Sequence, residues 1–74
     1  MLLSEMTKGQ KGIIIAIDAS KQLRDRLISL GLMIGEEVEV IEYTLMHGTF
    51  KILIGDSFVA IREDEAARIF IKAN

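Results

Sequence analysis

Between Arg24 and Gly35 the chain reads as a short helix that stops at one glycine, crosses three apolar residues and turns at a second glycine into a strand. Leu23, Leu27 and Leu30 fall within about 60° of one another on a helical wheel and make one apolar stripe, with Asp25 and Ser29 opposite. Ile28, about 100° from the centre of that stripe, is expected as a peripheral core contact; the alternative is an exposed patch shared with the residues that follow. Gly31 stands where a helix ends by giving one residue a positive φ, which costs a residue with a Cβ roughly 1–2 kcal/mol. Leu32 to Gly35 is too short for an element of its own and must be an apolar elbow that reverses the chain. A helix of roughly ten residues is marginal in isolation, so this one exists only if its leucines dock on something.

The rest of the chain supplies a sheet. Gly12 to Ile17 is β-branched, too short for a helix, and reads as a strand buried on much of both faces. Asp18-Ala19-Ser20 ends it, and Ser20 is a better N-cap than Asp18 for a helix starting at Lys21. From Glu36 to Tyr43, Glu37 and Glu39 alternate with Val38 and Val40, then the alternation slips at Val40-Ile41, which predicts a bulge. Thr44 to Thr49 is a loop, Phe50 to Ile54 the returning strand, and Gly55-Asp56-Ser57 a tight turn into the strand Phe58 to Arg62. Glu63 to Arg68 reads as a helical turn with acids at its positive end, Ile69 to Ile71 as a last strand, and Lys72 to Asn74 as a frayed tail. Leu3 and Met6 cover one end of the core, and all six glycines fall at element boundaries under this parsing. The expectation is a mainly β chain folded as a small, closed, SH3-like β-barrel of about five strands. One short α-helix follows the first strand and a helical turn precedes the last; closure removes edges so apolar a chain should not leave open.

Seventy-four residues make one domain, 1–74, which buries only about 60% of its unfolded surface. The 50% hydrophobic content therefore leaves apolar surface exposed, and exposed apolar patches point to partners, including a second copy of the chain. With no cysteine, disulfides, thiolate zinc sites and cysteine nucleophiles are excluded. A net charge of −2 lacks the basic footprint of a nucleic-acid binder. No apolar run approaches the roughly 20 residues of a membrane span, so no direct membrane insertion is expected. No signal peptide precedes the first strand, which places the chain in the cytoplasm.

Chemistry has little to work with. His47 is the one histidine, and a metal reading joins it to Met46, Glu42 or a carboxylate of the Glu63-Asp64-Glu65 run. A loop-tip histidine and a dipole-matched acidic turn account for the same residues without an ion. No serine sits in the setting of an activated nucleophile, and Gly31 to Gly35 follows a helix instead of opening one, so it is no phosphate loop. The reading is that of a non-enzyme with no cofactor and no dedicated metal site. Its candidate contact residues lie outside regular elements: the apolar Leu32, Met33 and Ile34 of the elbow, and Leu45, Met46 and His47 of the middle loop. Leu32 is expected to plug the barrel end.

The Arg26-Leu27-x-x-Leu30-Gly31-Leu32-x-x-Gly35 core resembles the FeoA family of small proteins encoded with the ferrous iron transporter FeoB. Lys8-Gly9, the Gly12 to Ile17 strand and the Val38-Val40 strand extend the match. Ala60-Ile61-Arg62 followed by Glu65-Ala66-Ala67-Arg68-Ile69 completes it over essentially the whole chain. The resemblance implies an SH3-like barrel and a role assisting ferrous iron uptake by contact with the cytoplasmic side of a FeoB-type transporter. It implies neither an enzyme nor a set of metal ligands. Family members often carry prolines in the loop between the two middle strands; Thr44 to Thr49 has none, so this loop is expected to be freer. The pattern is also similar to the C-terminal domain of DtxR-type repressors, which implies an iron-sensing module as the alternative. The start at Met1, with no DNA-binding domain ahead, favours the stand-alone accessory protein.

Overall fold

The computed structural model describes residues 1–74. A 3₁₀ turn at Leu3–Glu5 leads to β1 (Lys11–Ile17), α1 (Lys21–Ser29), β2 (Glu37–Thr44), β3 (Thr49–Ile54), β4 (Ser57–Arg62), α2 (Glu63–Ala66) and β5 (Ile69–Ala73). The five strands form one antiparallel sheet in the order β4-β3-β2-β1-β5. It curls around a single apolar core of Leu3, Met6, Ile14, Leu27, Leu32, Val38, Val40, Ile52, Ile61, Ile69, Ile71 and their neighbours. Leu3 and Met6 close one end of that core as the sequence suggests.

The expected closed barrel is not closed. β4 and β5 lie at opposite ends of the strand order and share no ladder. The physical reason is the segment between them, which folds into α2 and packs against β3, β4 and the Leu3–Glu5 turn instead of letting the strands meet. Helices do what strand pairing would have done. Glu65 of α2, itself buried, accepts the Arg62 backbone N–H at 3.0 Å and forms an ion pair with Arg26 of α1. That pair ties the two helices together across the opening.

Within the strands, the register slips between Val40 and Glu42, where the broken alternation placed a bulge. A second irregularity, between Ile14 and Ala16, was not expected. It puts Ile14 and Ile17 on the core side while Ile15 and Ala16 face water, so β1 is buried on one face and not on both. Lys72 and Ala73 are not a frayed tail: they extend β5, pairing with Ile13 and Gly12, and the Asn74 amide donates to the Lys11 carbonyl at 3.2 Å. Gly12 accordingly lies inside a strand and not at a boundary.

Candidate contact surface

α1 begins as Ser20 Oγ accepts the Leu23 N–H at 3.2 Å. It ends in a Schellman motif: the Gly31 N–H reaches the Ile28 carbonyl and the Leu32 N–H the Leu27 carbonyl, both at 2.9 Å, with Gly31 at φ 98°. The motif brings Leu32 over Leu27, and both are fully buried. Leu32 is thus a plug and no part of an outer surface.

The next turn works the other way. The Glu36 N–H donates to the Met33 carbonyl at 3.1 Å with Gly35 at φ 97°, the positive value a type II turn requires at its third position. The Gly35 N–H and Glu36 carbonyl then bond to the carbonyl and N–H of Ile14 at 2.8 and 3.0 Å, so the elbow is stitched to β1. Ile34, at the turn's tip, is left 67% exposed, and Met33 and Ile28 are about half exposed. Ile28 therefore belongs to the exposed patch and not to the core periphery.

These residues make a pocket. Ala16 and Ile17 of β1, Arg24 and Ile28 of α1, and Met33 and Ile34 of the elbow line a recess of about 500 Å³, open to solvent and apolar apart from the Arg24 head group. Arg24 Nη2 donates to the Ile17 carbonyl at 3.0 Å, which fixes the guanidinium at the rim. Such a recess accepts one or two large apolar side chains and offers one cationic group to whatever accompanies them. Ala16, Ile17 and Arg24 are not singled out by the sequence. The signal that finds Arg24 is its spacing, four residues before Ile28 on the same helix face.

The middle loop lies elsewhere. Leu45 and Met46 are 82% and 89% exposed, the barest large apolar residues in the chain, and His47 is exposed beside them. The whole of β2 separates this loop from the elbow, eight residues that span roughly 25 Å in a molecule 27 Å across. None of Leu45, Met46 and His47 lines the elbow pocket. The loop is held at its base, where the Glu63 N–H donates to the Gly48 carbonyl and the Tyr43 hydroxyl to Glu63 Oε2, both at 2.8 Å. Tyr43 also packs on Phe50, ring centres 4.6 Å apart. His47, Glu42 and the acidic turn do not converge, and no group of three His, Asp or Glu side chains is placed to hold a metal ion.

The hydrogen bond to Glu63, with desolvation and the nearby carboxylate charge, raises the Tyr43 pKa above its ordinary 10.0. The neutral phenol is the form the fold favours, so its contribution is present below pH 10.0 and is lost as pH climbs through the raised folded value. Tyr43 is the only tyrosine and there is no tryptophan. An absorbance titration of the phenolate is therefore expected to give a midpoint above that of a free tyrosine, and Glu63→Gln to lower it.

The model of the FeoA domain family matches residues 1–73. A Campylobacter jejuni protein that carries the name Fe(2+) transport protein A is 36% identical over 69 residues, 93% of each chain. A crystal structure of an iron uptake regulatory protein, FeoA, superposes with a TM-score of 0.91 at 34% identity over 100% of this chain and 96% of that one. The FeoA of Stenotrophomonas maltophilia, described as a prokaryotic SH3 domain protein and crystallised with zinc, gives 0.82 at 26% identity over 97% and 89%. A manganese-dependent transcriptional repressor shares the fold over 36% of its own chain, with a TM-score of 0.93 at 20% identity.

Proposed function

The chain belongs to the FeoA family, and from that premise we propose that it is a non-enzymatic, cytoplasmic accessory protein of ferrous iron uptake. It acts by protein contact with the cytoplasmic side of a FeoB-type transporter. The observation that carries this reading is the pocket of Ala16, Ile17, Ile28, Met33 and Ile34 with Arg24 at its rim. A recess already formed in the free protein, apolar inside and cationic at one edge, suits an apolar side chain flanked by an acidic group on a helix or an extended segment of the transporter. The loop carrying Leu45, Met46 and His47, all exposed, is a second contact point, and any contact with Fe²⁺, near His47 or the acidic turn, is transient.

The test is binding of the full chain to the soluble cytoplasmic domain of the cognate transporter by calorimetry. Ile34→Glu changes an exposed turn residue, so stability should move by no more than about 0.5 kcal/mol. Placing a carboxylate in the apolar recess should weaken binding about tenfold or more. Met46→Glu reports on the loop in the same way. Unchanged affinity in both variants overturns the surface assignment.

A further inference from the structure

The two edges of the sheet are treated differently. The outer edge of β5 is covered by the chain's own start: the terminal amine of Met1 donates to the Ile71 carbonyl at 2.9 Å, the Ile71 N–H to the Met1 carbonyl at 2.6 Å, and Leu2 bridges Phe70. The outer edge of β4 has no such cover. β3 and β4 are joined by the two-residue turn Gly55-Asp56, which pairs Ile54 with Ser57. In a hairpin of this kind that closing pair exchanges hydrogen bonds. The backbone groups of Ser57, Val59 and Ile61 therefore face β3, and those of Phe58, Ala60 and Arg62 face outward. Two bonds elsewhere confirm the phase: the Arg62 N–H is taken by Glu65, and the Glu63 N–H reaches the Gly48 carbonyl on the β3 side. Arg62 is thus already capped. The N–H and carbonyl of Phe58 and of Ala60 have no partner among the chain's other backbone bonds, and both residues are exposed.

We propose that this edge pairs with the same edge of a second copy, antiparallel about a two-fold axis, with Phe58 opposite Ala60 of the second copy. The four unpaired groups on each copy are self-complementary in that register. Phe58 exchanges two hydrogen bonds with Ala60 of the second copy, Ala60 exchanges two with its Phe58, and no free group is left over or used twice. The register stops short of Arg62, whose N–H is unavailable. Ser57 to Ile61 carries no charged residue, so no like charges are brought face to face along the seam. On the outer face each Phe58, 61% exposed and covered on one side by Lys51 Nζ at 4.8 Å, meets a small Ala60, which leaves room for its ring. The result joins two five-stranded sheets into one. It leaves the Arg24–Ile34 pocket of each copy out of the seam.

Sedimentation of the full chain from micromolar to millimolar concentration is expected to show monomer passing to dimer. Over that range the amides of Phe58 and Ala60 should go from rapid to slowed hydrogen exchange, while Val59 and Ile61 stay protected throughout. Ala60→Pro removes an outward N–H that β3 does not use, a place where an edge strand tolerates proline. It deletes two of the four seam bonds and should weaken the dimer by about 30-fold or more. Ile34→Glu should leave the dimer intact. A chain that stays monomeric throughout overturns the proposal, as does a dimer in which the Phe58 and Ala60 amides remain unprotected. So does protection of those amides that appears only with the transporter domain, which would assign the edge to that partner. Should Ala60→Pro fail to fold, the exchange measurement on the unaltered chain decides.

Discussion

Leu27→Ala is expected to lower the unfolding free energy by about 2–5 kcal/mol, in a domain whose total is of the order of 4–11 kcal/mol at this length. Leu27 is fully buried, and the helix otherwise meets the core through the partly buried Leu23 and, just past its last turn, Leu30. Truncation leaves a cavity where Leu32 also packs, because the Schellman motif sets those two residues one over the other. The loss reaches beyond one side chain. A helix of nine residues is not stable alone, so undocking it frees the elbow and with it the Ile28, Met33 and Ile34 wall of the pocket. Each kcal/mol is worth roughly 4–8 °C in a domain of this size, so thermal unfolding followed by circular dichroism should show a fall of ten degrees or more. A fall equivalent to less than about 1 kcal/mol would mean that α1 is not held by this residue. Leu23→Ala, at a partly buried position, is the natural comparison and should cost less.

What the sequence makes legible here is local. The stop at Gly31, the cap at Ser20 and the slip at Val40-Ile41 each break a period within a few residues, and each stands where the period breaks. The bulge between Ile14 and Ala16 does not, because Gly12 to Ile17 holds only apolar residues and glycine and has no polar marker to reveal a change of face. Closure is legible least of all. Whether β4 meets β5 depends on how the α2 segment packs on β3, β4 and the N-terminal turn, and on Glu65 finding both Arg26 and the Arg62 N–H. In the sequence that carboxylate is merely the third acid of a run. The elbow and its Met33 and Ile34 are readable as exposed apolar groups, whereas their walls at Ala16, Ile17 and Arg24 are contributed across the fold.

Gly12→Ala is expected to be nearly as damaging as the loss of Leu27, for the opposite reason. Gly12 has no unusual backbone angle to explain it. It sits inside β1 opposite Val38 on one side and Ala73 on the other, and it is buried. A Cβ built there collides with Ile71 Cγ2 and comes within 2.9 Å of the Lys72 carbonyl oxygen. The Ile71 methyl belongs to a buried side chain and has nowhere to swing, and the carbonyl belongs to the strand itself. One methyl group therefore has to push β1 and β5 apart, at about 3 kcal/mol, the upper end for overpacking a core. The strain falls on the strand that also bonds to Met1, so the cover of the β5 edge should loosen with it. Urea unfolding gives the energy. Exchange at the Ile71 amide, whose proton lies on the Met1 carbonyl, shows whether that edge has opened. Gly9→Ala is the control for glycine chemistry without crowding: nothing lies within 4 Å of its Cβ position, and its penalty comes from a φ of 86° alone. If Gly12→Ala is no worse than Gly9→Ala, close approach of β1 to β5 is not what requires glycine at this position.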